Sequence, residues 1–189
     1  MKARWLWVVI TLAVALAGCA SAPPVDPKDE TVSVVFGYFD MKNAPSSLAW
    51  VSLKHYDGNA KGERYTMAVR DGLFFHVGIG PGSYQVDKFG GTGGIPFLTR
   101  RPFEYDFGGK GRNDTAVRIK KPGLYFLGSY KYIDHAGGFF EPDKFEMQPG
   151  SEPTEKQLLE RLVKELQSDK ELTQYSRQIQ VVKRRLAEL

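Results

Sequence analysis

The sequence predicts a mainly β protein: an antiparallel β-sandwich of about eight or nine strands, followed by a C-terminal helical segment. Three observations support this fold class. Apolar and polar residues alternate with period 2 from Thr31 to about Met147. The 20 glycines and the aromatic content of 13% are typical of a turn-rich β protein. After Pro149 and Gly150 the apolar period changes to that of a helix.

The N-terminal segment has the proportions of a secretory signal peptide. Lys2 and Arg4 form a basic head, and the run from Trp5 to Leu16 carries no charge. A membrane-spanning helix needs about 20 apolar residues, so this run is too short to span a bilayer. It matches the apolar region of a signal peptide, which is removed on export. The chain's single cysteine, Cys19, lies directly after this region.

Leu16-Ala17-Gly18-Cys19 resembles the lipobox of bacterial lipoprotein precursors. The resemblance implies that a diacylglyceryl group alkylates the Cys19 thiol, that cleavage follows Gly18, and that the new amine is acylated, for example with palmitate. Ala20 stands where an aspartate would retain a Gram-negative lipoprotein in the inner membrane. The expected location is therefore the outer membrane, with the protein anchored by lipid and facing the periplasm.

These signals divide the chain into four parts. Residues 1–18 are the predicted signal peptide, and residues 19–30 hold the lipidated cysteine and a tether with three prolines. A Pro-rich tether of this kind extends by about 3.1 Å per residue. Residues 31–148 form the predicted β-sandwich domain, and residues 149–189 form C-terminal helices.

Local turn chemistry predicts how the strands connect. Asp71-Gly72 stands between two alternating apolar segments, which predicts a hairpin with a two-residue turn of the primed type. Pro81-Gly82 and Pro122-Gly123 carry the residues of type II turns. The segment "LYFLGSYKY", which starts at Leu124, is apolar on both faces and predicts a central strand.

The stretch "DGLFFHVGIGPGSYQVDKFGG", which starts at Asp71, resembles the turn-and-strand pattern of carboxypeptidase regulatory-like and transthyretin-like sandwich domains. Lipoproteins often carry such domains. The resemblance implies an accessory or binding module.

The C-terminal segment predicts two amphipathic helices. Thr154 and Gln157 have the spacing of a capping box, and Ser168-Asp169 interrupts the first apolar stripe. The second stripe is a short heptad seam, which favours either docking on the protein's own sheet or pairing with a partner helix or a second copy. We expect the first helix to dock within the molecule and the second to be at least partly available to a partner. The residues of this seam are Leu172, Tyr175, Ile179, Val182, Leu186 and Leu189. Lys183, Arg184 and Arg185 flank it and are expected to solvate it.

Charge and composition exclude several function classes. The net charge of +4 falls to about +2 when Lys2 and Arg4 leave with the signal peptide, so the sequence gives no support for nucleic-acid binding. No cysteine besides Cys19 is available for a disulfide. The sequence contains no recognisable catalytic motif and predicts neither an enzyme nor a bound cofactor.

Ligand-site candidates in the sequence are weak. Two Gly-rich stretches, at 89–94 and 107–112, lie near a group of basic residues that could bind an anionic envelope component: Arg100, Arg101, Lys110 and Arg112. Asp134 and His135, with Glu141 and Asp143, carry side chains that could bind a metal, but turn formation explains them better, and no metal site is predicted. His76 lies among apolar strand residues and is expected to be a packed or edge histidine and not a ligand.

The sequence therefore predicts a lipid-anchored, non-catalytic interaction or structural module of the cell envelope. Its expected partners are the membrane, through the lipid on Cys19, and an envelope protein or a second copy, through the C-terminal helix. The alternative is a lipoprotein that captures a glycan or another anionic envelope component on its Gly-rich basic loops. An enzyme without a recognised motif is a third possibility.

Overall fold

The computed structural model describes residues 26–44, 46–93, 101–107, 111–135 and 144–189. In these residues the chain forms first strands and then helices, which confirms the mainly β fold with a C-terminal helical segment. The strands are β1 (Ser33–Asp40), β2 (Ser46–His55), β3 (Arg64–Arg70), β4 (Leu73–Ile79), β5 (Gly82–Gly93), β6 (Arg101–Asp106), β7 (Val117–Ile119), β8 (Leu124–His135) and β9 (Lys144–Gly150). The helices are α1 (Glu155–Ser168) and α2 (Ser176–Ala187).

The strands form one mixed sheet, so the term antiparallel sandwich is too narrow. The strand order is β6-β5-β2-β3-β4-β1-β8-β9, with β7 paired to β5. β1 pairs antiparallel with β4 on one side and parallel with β8 on the other. The alternation of apolar residues reports which face of a strand is buried but not the direction of its neighbour, and for this reason the parallel pair could not be predicted.

The sheet curls until its two ends meet. Tyr105 of β6 and Phe145 of β9 have ring centroids 4.3 Å apart, and Phe145 stacks on Tyr132 of β8 at 5.5 Å. Because β6 and β9 are the terminal strands of the order, these contacts close the sheet around an interior core. Phe39 lies within that core, 4.6 Å from Phe74 and 5.3 Å from Phe107 between ring centroids.

A second core lies outside the curled sheet, beneath the helices. Val34 and Phe36 of β1 point to this side, whereas Val35 and Phe39 point to the interior. The outer core joins β1 and β4 to both helices through buried side chains: Val34, Phe36, Leu73, Phe75, Val77, Leu158, Leu159, Leu162, Leu166, Tyr175, Ile179 and Val182. The C-terminal segment is thus packed on the β region.

The hairpin between β3 and β4 has the predicted turn. Asp71 and Gly72 have φ of 46° and 83°, as a type I′ turn requires, and Arg70 pairs with Leu73 across it. The two predicted type II turns are wrong. Gly82 has φ of 159°, which is close to extended backbone, and Gly123 does not have a positive φ.

The first helix begins and ends close to the predicted positions, whereas α2 begins at Ser176, so Leu172 and Tyr175 of the predicted seam precede it. The Thr154–Gln157 capping box is present: the Thr154 N–H donates to Gln157 Oε1 at 2.8 Å, and the Gln157 N–H donates to Thr154 Oγ1 at 3.4 Å. Helix α1 ends at Ser168, where the interruption was predicted. None of the helices in the described part of the chain has the length and apolar character needed to cross a bilayer.

The apolar stripe of α2 lies against the chain's own sheet. Tyr175, Ile179 and Val182 are buried in the outer core, with Leu172 and Leu186 partly buried beside them, and Leu189 is 46% exposed. A partner or second copy that binds α2 would therefore contact its polar flank. Docking of a partner on this helix stays a prediction.

Truncation of the α1 stripe tests the outer core. Leu162 is fully buried, so Leu162→Ala is expected to lower the free energy of unfolding by about 2–5 kcal/mol. Lys164→Ala, on the exposed side of the same helix, is expected to change it by about 0.5 kcal/mol or less. Urea denaturation followed by circular dichroism measures both. Equal effects of the two substitutions would contradict the packing described here.

Candidate functional site

The structure places few of the predicted site residues. Cys19, Arg100 and Lys110 lie outside the described residues, and Arg101 is described only as backbone of β6, paired with Gly93. Arg112 is exposed. The predicted basic patch on the Gly-rich loops therefore stays a prediction.

The segment that carries Arg112 is held to the sheet by its neighbour Asn113. The Asn113 side-chain amide donates to the Val86 carbonyl at 2.7 Å and to the Phe107 carbonyl at 2.9 Å, and its oxygen accepts from the Thr115 hydroxyl at 2.6 Å. This network fixes the backbone next to Arg112.

The loop considered for a metal is only partly described. Asp134 and His135 end β8, and His135 Nε2 lies 3.4 Å from Glu146 Oε2, whereas Glu141 and Asp143 lie outside the described residues. In the described ranges, His, Cys, Asp and Glu side chains nowhere gather in a group of three or more that could hold a metal ion.

A pocket of about 240 Å³ lies along α2, and we call it the α2 pocket. It is bounded by the segment that leads into β1, by the turn before β8, and by one flank of the helix. Its lining residues are Glu30, Val32, Val34, Pro122, Gly123, Arg177, Gln178, Gln180, Val181 and Arg184.

Helical periodicity explains which residues of α2 line this pocket. Arg177, Gln180, Val181 and Arg184 follow each other at spacings of three, one and three residues, so they share one flank of the helix. The adjacent stripe of Tyr175, Ile179 and Val182 faces the outer core. The pocket therefore forms where the helix flank meets the start of β1.

Gln178 lies at the boundary between the stripe and the flank, and it is 3% exposed. Its Nε2 donates to the Asp29 carbonyl at 3.4 Å, but its Oε1 has no hydrogen-bond partner among the described residues. Buried polar atoms in folded proteins are almost always paired, so this acceptor is open to a donor from water or from a ligand.

The charges at the pocket are mainly positive. Arg177 pairs with Glu30. Arg184 is exposed and makes no hydrogen bond or ion pair with a described residue. Lys120 and Lys121, both exposed, directly precede the turn that forms one wall. The rim therefore favours an anionic group.

Two contiguous grooves, of about 580 and 470 Å³, lie at the opposite end of β1. They share Tyr38, Asp40, Lys42 and Arg161. Arg161 Nη2 donates to the Arg70 and Asp71 carbonyls at 3.1 and 3.0 Å, and its guanidinium lies 5.6 Å from the centre of the Tyr38 ring. Arg161 thus ties α1 to the β3–β4 turn.

A row of polar side chains leads from the buried His55 and Tyr84 to the exposed Glu63 at one end of the sheet. His55 is 6% exposed, its ring lies 4.7 Å from that of Tyr84, and its Nδ1 has no partner among the described residues. The Tyr84 ring lies 5.9 Å from that of Tyr65, whose hydroxyl donates to Glu63 Oε2 at 3.3 Å. Burial raises the pKa of both tyrosines, so their hydroxyls stay protonated and act as donors. Gly82 packs directly against His55, which leaves this ring no room to accept a ligand from that side.

His76 is packed in β4, as predicted. Its Nδ1 accepts a hydrogen bond from the Gly78 N–H at 3.0 Å, and the Tyr65 ring lies 5.8 Å away. Burial lowers the pKa of His76 from 6.5 to about 4, because the low-dielectric surroundings disfavour the charged imidazolium.

Sequence reasoning missed the α2 pocket. Arg184 was interpreted as a solvating residue, and Gln178 was not singled out. The sequence does contain a signal for this pocket. Gln178 lies beside the apolar stripe of the helix, and Arg177 and Arg184 share the adjacent flank.

Comparisons with known proteins identify no relative of this chain. No protein-family model, curated protein or solved structure matches this chain.

The depressed pKa of His76 predicts acid sensitivity of the fold. In the unfolded chain His76 takes up a proton below pH 6.5, whereas the folded protein resists protonation down to about pH 4. Between these values the unfolded state binds more protons, so stability falls as the pH falls, by at most about 1.4 kcal/mol per pH unit.

His76→Asn keeps an acceptor for the Gly78 N–H and removes the titration. We expect it to flatten the loss of stability between pH 6.5 and pH 4, as measured by urea denaturation at several pH values. His135→Asn, at an exposed position, serves as the control. An unchanged slope in His76→Asn would contradict the assignment.

Proposed function

We propose that this protein is a lipid-anchored module of the bacterial cell envelope that holds an interaction domain on the periplasmic side of the outer membrane. The observation that carries the proposal is Cys19 at the end of Leu16-Ala17-Gly18-Cys19, behind a short apolar run. Two or more acyl chains hold a protein firmly on a membrane, since each buried methylene adds about 0.8 kcal/mol.

The start of the described chain supports a short tether. The Asp29 N–H donates to the Asp26 carbonyl at 2.9 Å, and the Asp29 carboxylate accepts from the Thr31 N–H at 2.8 Å. The segment from Asp26 to Thr31 is therefore turned rather than extended. Asp26 lies seven positions after Cys19, and an extended Pro-rich tether of this length reaches about 20 Å.

The α2 pocket supports an interaction role for the domain near its anchor. Gln178 contacts the Asp29 carbonyl, and Arg177 pairs with Glu30, so the pocket lies where the tether joins the fold. Under this proposal the anchor presents the pocket within about 20 Å of the membrane surface. Capture of a glycan or anionic envelope component on the Gly-rich basic loops remains the alternative.

Mass spectrometry of the mature protein tests the anchor. The N-terminal peptide is expected to begin at Cys19 and to carry a diacylglyceryl thioether and an N-acyl group. Cys19→Ser is expected to block processing or release the protein from membranes. A mature chain with a free thiol, or with another first residue, would refute the proposal.

Membrane fractionation tests the location. Ala20→Asp is expected to move the protein from the outer to the inner membrane fraction of a Gram-negative host, whereas Ala20→Ser is expected to leave it in the outer membrane. Retention of Ala20→Asp in the outer membrane fraction would contradict sorting by this residue.

A further inference from the structure

We propose that the α2 pocket binds the carboxy-terminal end of a peptide whose last residue is apolar. The pocket brings together three kinds of group: an apolar floor, an arginine without an ion pair to the described residues, and a buried amide oxygen without a donor. This inference goes beyond the anchoring function and holds whether or not Cys19 carries lipid.

The buried oxygen requires a donor from the ligand. Gln178 Oε1 cannot exchange places with Nε2, because the Asp29 carbonyl, 3.4 Å from Nε2, is an acceptor and needs the N–H group. The ligand must therefore carry an N–H or O–H group near this oxygen. A peptide amide is such a donor.

The arginine on the rim requires an acceptor from the ligand. A guanidinium presents its donors in a planar fork that matches the two oxygens of a carboxylate. Arg184 is exposed and without a partner among the described residues, whereas Arg177 is already paired with Glu30. Arg184 is therefore the residue that we assign to the carboxylate.

The floor requires an apolar group. Val32 is 8% exposed and Val34 is 1% exposed, and Val181 on the helix is partly buried beside them. These side chains offer no hydrogen-bond partner, so a polar ligand group placed against them would lose its water without replacement. An apolar group avoids this cost and also covers the exposed part of Val181.

One chemical class satisfies the three requirements together. In the last residue of a peptide, the amide N–H, the side chain and the free carboxylate sit on one carbon atom. Inorganic phosphate lacks the apolar part, and a neutral sugar lacks the charge. The pocket volume of about 240 Å³ is below the usual range for drug-sized ligands, so it suits a single terminal residue.

Fluorescence anisotropy tests the proposal on the full chain, purified in detergent micelles from a whole-cell extract. The probes are fluorescein-Gly-Gly-Ala-Val with a free carboxylate and the same peptide as a carboxamide. We expect the free acid to bind and the carboxamide to bind at least tenfold more weakly, since loss of a charged hydrogen bond reduces affinity by about that factor or more.

Three variants assign the contacts. Arg184→Gln is expected to weaken the free acid about tenfold, with no change in melting temperature. Gln178→Met fills the same space without an acceptor and is expected to weaken binding while the chain stays folded. Arg112→Gln is the control: it removes an exposed arginine that belongs to the predicted loop patch and does not line the α2 pocket. It is expected to leave binding unchanged.

Several results would overturn the proposal: no binding of the free acid at millimolar concentration, equal binding of acid and carboxamide, or full binding by folded Gln178→Met or Arg184→Gln. The mass of the N-terminal peptide in the same sample reports lipidation. Failure of this inference and failure of the anchoring function are therefore separate results.

Discussion

The burial of β1 on both faces is the constraint on which the rest of the fold depends. Val35 and Phe39 enter the core inside the curled sheet, whereas Val34 and Phe36 enter the core beneath the helices. A strand that is apolar on both faces must be covered on both. The curl of the sheet supplies one cover and the C-terminal helices supply the other, so the β region and the helical segment belong to one folded unit.

The same constraint positions the surface features. Helices α1 and α2 lie across the outer face of β1 and β4. A depression forms on the surface where the side of each helix meets the sheet. Arg161 of α1 meets the β3–β4 turn at one end of β1, where the two grooves lie. The flank of α2 meets the start of β1 at the other end, and the α2 pocket forms there, beside the segment that joins the domain to Cys19.

Local rules predicted two features that depend on a few neighbouring residues, although the same kind of rule failed at the Pro81-Gly82 and Pro122-Gly123 turns. The Asp71-Gly72 turn and the Thr154–Gln157 capping box follow from backbone conformation and hydrogen bonding within one turn of chain. The parallel pairing of β1 with β8 and the docking of α2 depend on contacts between distant parts of the sequence, which one chain's periodicity does not encode. The α2 pocket was missed for the same reason, since Gln178 meets Asp29 only in the folded molecule.

Hydrogen exchange on the intact protein tests most directly whether the helices and the β region form one folded unit. If they share the outer core, the amides of α1 and α2 exchange through the same unfolding reaction as those of β1. Their free energies of opening then agree within about 1 kcal/mol. The account predicts equal protection at Leu162, Val182 and Phe36, all fully or almost fully buried. A much lower free energy of opening for the helix amides than for Phe36 would contradict the single folded unit, because the helices would then unfold without the sheet.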